Sequence, residues 1–313
     1  MKRRYIRIVI AGIIFLLALL LTLYPVISNL YNQEHQSLIK TEYEEVVAQT
    51  DTAEFDRIRK LAVAYNKAIT PGTAGETYSQ EAILAASEDY DSQLNLSGSG
   101  IMGYVKIPKI QVELPIYHGT DSDTLEVGIG HLLGSSLPVG GVSTHSVLTA
   151  HSGMAGQKMF SDLDKLKIGD VFYLQVLDET LAYQVDQINT VLPHDTTYLG
   201  ITEGEDICTL VTCTPFGVNT HRLLVRGTRI PYEEAEVIVE EQLQVEELPK
   251  STWEQQYIKG ILFGIGAVIL IAAMYGYYLY WRKHRKPRKP KRSIAETKVR
   301  KIRLRKKGKY EAD

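Results

Sequence analysis

The 313-residue sequence predicts a mainly β protein, with short strands closing into a barrel or sandwich. A helical segment precedes the strands, and two transmembrane helices flank the whole. Three observations carry this expectation. From Ile101 to Ile230, short alternating apolar runs are separated by Gly, Pro and Asp turn signals with few helical insertions. Ile8–Ile27 and Gly260–Tyr280 are nearly uninterrupted apolar stretches, each about the 20 residues that a bilayer crossing needs. Between them, Asn29 to about Lys67 carries apolar residues at helical spacing in a Glu-, Gln-, Ala- and Lys-rich background.

The elements follow in chain order. Residues 1–28 hold Lys2, Arg3, Arg4 and Arg7 ahead of the first apolar run. That run reads as a retained anchor rather than a cleaved signal peptide, because its apolar core is long and no small-x-small site follows Tyr24. Residues 29–100 form a helical and linker segment. Val46, Val47, Phe55, Ile58, Leu61, Ala62 and Tyr65 line one side of a broken amphipathic helix. Thr70–Ser79 is a turn-rich breaker, and Gln80–Gly100 is acidic and ends in Ser-Gly-Ser-Gly. Residues 101–232 are the β domain, with strands expected at Gly103–Ile107, Val112–Tyr117, Val142–His151, Val171–Leu177 and Leu181–Val191. The last two make a hairpin about Asp178-Glu179-Thr180. Short helices are expected within Thr124–Leu133 and at Gln157–Leu166. Residues 233–257 read as an acidic juxtamembrane linker, 258–281 as the second span, and 282–313 as a basic tail.

Charge sets the orientation. The tail carries 16 Lys/Arg, and the section between the basic ends carries 15 Lys/Arg against 34 Asp/Glu. That section is therefore near −19, although the whole chain is only −2. Basic flanks stay on the cytoplasmic side, so both termini are expected inside and residues from about 29 to 257 outside. A basic tail directly after a span predicts anionic lipid headgroups as its partner rather than nucleic acid.

Chemistry points to Ile207–Ile230, two apolar strand patterns joined by a Pro/Gly/Asn turn. Cys213 ends the first strand and Arg222 opens the second. A cysteine nucleophile needs a nearby base and a positive group to hold a developing oxyanion. Cys208 lies inside a continuous apolar run and fits a small buried hydrophobe. Cys213 lies at a polar strand end and is the candidate nucleophile. Five residues apart on one strand, the two thiols face opposite ways and do not pair. Arg222 is the candidate for the positive group. Among the histidines of the β region, spacing does not separate His145 from His151, which share a strand face. Placement before Ser152-Gly153, at a strand end, favours His151. His118, His131, His194 and His221 read as surface or hydrogen-bonded residues.

The segment Thr209-Leu210-Val211-Thr212-Cys213 resembles the signature of sortases, the cysteine transpeptidases of Gram-positive cell surfaces. Its continuation, Thr214-Pro215-Phe216-Gly217 and Asn219 through Gly227, is similar to the class C, pilin-polymerising branch. Leu148-Thr149-Ala150-His151 looks like the sortase segment that ends in the catalytic histidine. The resemblance covers about Gly103 to Ile230 and implies a closed sortase-type β-barrel. It further implies that Cys213 attacks the Thr–Gly bond of an LPXTG-like signal in a pilin or surface protein. His151 then serves as acid and base, and Arg222 orients substrate and stabilises the oxyanion. In class C the acceptor is a pilin lysine amine. A wall-anchoring sortase or a thiol hydrolase would share the same three residues. Class C sortases also carry an Asp-Pro-aromatic lid motif ahead of the barrel, and this sequence has none. Glu88-Asp89-Tyr90-Asp91 sets an acid beside an aromatic there without the proline, and no role is assigned to Asp89 or Tyr90.

No cofactor is expected. The His and Cys residues lack zinc-ligand spacing, and no EF-hand loop, P-loop, dinucleotide fingerprint or Gly-x-Ser-x-Gly elbow occurs.

Overall fold

A computed structural model describes residues 2–69, 89–154, 156–245, 248–249 and 251–284. The chain divides into two units, residues 1–258 and 259–313. In the second, Lys259–His284 continues the helix that begins at Thr252.

The first unit is built on a closed eight-stranded barrel. Its strands are β1 (Ile101–Ile107), β2 (Val112–His118), β3 (Ile129–His131), β4 (Thr144–Thr149), β5 (Val171–Val176), β6 (Glu179–Val191), β7 (Asp206–Thr214) and β8 (His221–Ile230). They close in the order β1-β2-β3-β4-β7-β8-β6-β5. The β2–β3 and β4–β7 pairs are parallel and the other pairs antiparallel. Closure leaves no strand edge open, and it decides between the barrel and the sandwich that the pattern alone allowed.

The barrel interior takes alternate residues. Cys208 and Leu210 of β7, Leu223 and Val225 of β8, and Leu148 of β4 lie in the main core. Val211, Leu224 and Val147 face outward and join Val191 and Leu199 in a smaller cluster. Cys208 thus lies on the core face itself, whereas Cys213 shares the outward parity. Gly227 faces inward, where a Cβ would stand 2.7 Å from the Phe172 ring.

Among the described residues, five α-helices accompany the strands. The first, α1 (Lys2–Gln49), runs unbroken from the apolar run into the outer segment. Its last turns pack Ile39, Tyr43 and Val47 against Ile101 and Tyr104. The break comes at Asp51, whose carboxylate accepts the Glu54 N–H at 2.8 Å and caps α2 (Thr52–Ala68). Phe55, Ile58 and Ala62 enter the barrel core as their spacing predicts. Leu61 departs from that face and is 48% exposed. Asn66 brackets Leu137, donating to its carbonyl at 3.1 Å and accepting its N–H at 2.7 Å.

Three local expectations change. The Gln157–Leu166 helix reduces to a 3-10 turn at Leu163–Lys165, because the preceding backbone bonds back to the loop instead. A short α3 (Ser122–Val127) does form, followed by β3 rather than loop. The acidic stretch after the barrel is largely a helix, α4 (Tyr232–Val245). Its Ala235, Ile238 and Val239 pack on Val171, Tyr173 and Ala182. That apolar stripe has i, i+3, i+4 spacing, which the intervening glutamates conceal from a compositional reading. The fifth helix is α5 (Thr252–His284).

Both α1 and α5 are long and apolar enough to cross a membrane. The tail from Arg285, the Thr70–Ser79 breaker and Glu88 lie outside the described residues.

Candidate active site

The pairing of β7 with β8 sets Cys213 directly opposite Arg222. Cross-strand partners share a sheet face, so both side chains emerge on the outer side of the barrel. Parallel β4 lies on the other flank of β7, with Thr149 opposite Val211. One residue on, the Ala150 N–H donates to the Val211 carbonyl at 3.1 Å. Thr212 Oγ1 donates to the Ala150 carbonyl at 2.8 Å, and Thr149 Oγ1 to the Val211 carbonyl at 3.3 Å. Extending this register by two residues sets His151 level with Cys213. Cys213 and Arg222 thus face each other at one end of the β7–β8 pair, His151 follows two residues past the end of β4, and each of the three is half-buried.

Turn chemistry holds the surrounding loops. The β7–β8 turn begins with a cis Thr214–Pro215 bond and passes through Gly217 and Asn219 at positive φ. The Val218 and Asn219 N–H groups both donate to the Pro215 carbonyl at 3.0 Å. Arg222 Nη1 donates back to the His221 carbonyl at 3.1 Å and, more weakly, to that of Asn219 at 3.4 Å. On the histidine side, Gly153 has φ +80° and lies against Gly217, where a Cβ would come within 3.2 Å of the Gly217 nitrogen. The loop bearing His151 and the turn following Cys213 are thus packed together.

The other polar candidates are accounted for by bonding. His145 is buried below the site. Its Nδ1 donates to the Gly200 carbonyl at 2.8 Å, which leaves Nε2 to accept from Thr209 Oγ1 at 2.7 Å. Desolvation pushes this imidazole down to about 4, so it is a neutral structural ring. His131, fully buried, donates from Nε2 to the Ser136 carbonyl at 2.9 Å, and its Nδ1 pairs with Tyr90 Oη at 2.8 Å. Burial lowers it to about 4 as well. His118 bridges the Gly100 and Gln93 carbonyls, His221 pairs with Thr220, and His194 is exposed. Burial pushes the Cys208 thiol well up, which suppresses its thiolate.

Tyr90 is an anchor with no signature in the sequence. Its hydroxyl also accepts the Gly119 N–H at 3.0 Å, pinning the pre-barrel segment to β2 and β3. It packs edge-on to His118 at 5.1 Å. Among the described residues, no group of three His, Cys, Asp or Glu side chains is placed to hold a metal. Among the described residues, Cys213 does not line the clefts of about 590 and 410 Å3.

Comparison with known proteins agrees with this geometry. The sortase-domain family model matches residues 105–230. Sortase C1 of Streptococcus agalactiae is 51% identical over 61% of this chain and 97% of its own, with a TM-score of 0.56. The chain belongs to the sortase family. This sortase is also similar to sortase C of Streptococcus pneumoniae, at 47% identity over 61% of this chain and 96% of the other, with a TM-score of 0.54. A more distant relative is sortase A of Streptococcus agalactiae, 26% identical over 175 residues, which are 54% of this chain and 68% of that protein. As a sortase the protein is a cysteine transpeptidase, and its two apolar helices fit membrane anchoring.

Proposed function

We propose that this sortase is a class C, pilin-polymerising enzyme whose nucleophile is Cys213. The opposition of Cys213 and Arg222 across β7–β8, with His151 two residues past the end of the neighbouring β4, is the observation that supports the assignment most directly. In this reading Cys213 Sγ attacks the threonine carbonyl carbon of an LPXTG-like signal. The C–S bond forms and the Thr–Gly C–N bond breaks, while His151 gives a proton to the leaving glycine amine. A pilin lysine amine then attacks the thioester carbonyl, His151 takes its proton, and Cys213 is released. Arg222 holds the oxyanion in both tetrahedral states. Its planar fork of fixed donors suits that task better than a lysine would.

The class assignment leans on similarity to sortases C, one of which is pilus-related. Residues 101–232 are the catalytic domain, held outside the membrane with both termini cytoplasmic. Residues 282–313 meet anionic lipid on the inner face.

Mass spectrometry of the purified protein with an LPXTG peptide tests the mechanism. An acyl adduct on Cys213, absent in Cys213→Ala and passed to the lysine of a pilin fragment, is the expected result. Transfer only to short amines would assign a wall-anchoring enzyme, and transfer only to water a hydrolase.

A further inference from the structure

His151 lies past the end of β4, so the backbone beyond it has no strand partner to hold it. The loop that follows, up to Asp162, is nonetheless fixed from outside the barrel. At the start of α5, Trp253 Nε1 donates to the Met154 carbonyl at 2.9 Å. The neighbouring Thr252 N–H donates to Asp162 Oδ1 at 2.6 Å. Asp162 is only 2% exposed, and its second oxygen pairs with Lys158 Nζ at 3.1 Å. From α1, Asn32 Nδ2 donates to the Gly156 carbonyl at 3.1 Å. A Cβ on Gly156 would stand 2.5 Å from Ser28 Oγ, so the loop backbone rests directly on α1. Within the loop, the Phe160 N–H donates to the carbonyl of His151 itself at 3.0 Å.

Trp253 is 8% exposed, yet it joins none of the hydrophobic core clusters of the barrel. Its ring stacks on Tyr257 at 5.8 Å, and Tyr257 Oη donates to the Thr22 carbonyl of α1. The start of α5 and the middle of α1 thus converge on one loop, the loop that leads away from His151. Packing the barrel requires neither contact.

We propose that the start of α5, through Trp253 and the Thr252 amide, is a positioning element for His151. It rests on His151 being the acid–base residue described above. An imidazole must sit within hydrogen-bond reach of both the thiol and the leaving amine, and small displacements there lower rate steeply. Freeing the loop from its clamp restores backbone entropy to the segment that carries the ring. The cost falls on the chemical step. KM is expected to hold, because neither donor belongs to a residue that the mechanism above places on the substrate. The membrane helix is then part of the catalytic apparatus as well as its tether.

The test uses the full chain in nanodiscs. Trp253→Phe keeps the ring and removes its N–H. Thr252→Pro removes the second donor at the first helical position, where proline is tolerated. Each variant is expected to lose several-fold in kcat for LPXTG-peptide turnover, and the pair about tenfold, the scale of one to two hydrogen bonds lost from the transition state. KM and the thermal midpoint stay near wild type. Tyr257→Phe, which leaves both donors in place, keeps the wild-type kcat. A double variant with wild-type kcat overturns the proposal. So does one whose loss appears in KM together with a lowered thermal midpoint, since that marks a structural role alone. A wild-type rate in His151→Ala would instead sink the assignment of His151.

Discussion

At the residue scale, parity along β7 assigns the two cysteines their different characters. Cys208 faces the core with no exposure, and Cys213 faces out beside Arg222. Cys208→Ser places a hydroxyl in that apolar core without a partner. It is expected to cost about 1–3 kcal/mol of stability while leaving acyl-enzyme formation per folded molecule unchanged. Denaturant titration alongside adduct mass spectrometry checks both halves. Loss of the adduct at normal stability would show that Cys208 takes part in the chemistry.

The two buried histidines predict how this sortase responds to acid. His131 and His145 fold as neutral rings with their affinity for protons lowered to about 4, chiefly by desolvation. In the unfolded chain they bind protons near pH 6.5. The unfolded state thus takes up protons first as pH falls. The stability that these rings contribute is present above about pH 6.5 and lost progressively toward pH 4. The full loss is at most about 3 kcal/mol for each. Thermal midpoints measured from pH 7 to pH 4 should fall across that window. His145→Gln should start from a lower midpoint and show a shallower fall, and an unchanged slope would refute the assignment.

At the element scale, the loop after β4 and the β7–β8 turn meet beside Cys213. Gly153 is the contact that matters, because its φ of +80° and its approach to Gly217 both exclude a side chain. Gly153→Ala should destabilise the fold by about 1–2 kcal/mol, and it should lower peptide turnover more than that loss of stability accounts for. Turnover measured well below the thermal midpoint separates the two effects, and wild-type turnover there would show the loop junction to be catalytically idle. The same scale explains α4. Its apolar stripe of Ala235, Ile238 and Val239 is interleaved with glutamates, so the acidic composition dominates a linear reading until Ala235 is seen on the barrel wall.

At the scale of the whole molecule, the proposed orientation rests on charge placement. Protease added to intact protoplasts should degrade the domain between the spans and spare an epitope fused after Asp313. Cleavage of that epitope in intact cells would reverse the topology. Replacing the tail lysines and arginines with glutamine should weaken retention of the tail peptide on anionic vesicles by about 1 kcal/mol for each charge near the surface. Binding to neutral vesicles should stay as weak as before.

Much of this was legible in the chain itself, because the features concerned are local. Apolar run length marks the two candidate spans, alternation marks the strands, and the Thr209–Cys213 and Asn219–Gly227 segments carry the family resemblance. Counting along the strand put Cys208 and Cys213 on opposite faces and the polar strand end marked Cys213, but only the fold showed that Cys208 takes the core face. Alternation alone did not choose barrel over sandwich, because closure is a pairing of β1 with β5 across nearly 70 residues; the family resemblance implied the barrel. Nor was the structural use of His145, whose partners Gly200 and Thr209 come from other parts of the chain. The anchoring of Tyr90 and the clamp of Trp253 on Met154 were equally hidden. Hydrogen bonds to backbone carbonyls leave no residue-type signature at the accepting position, so only the folded chain reveals them.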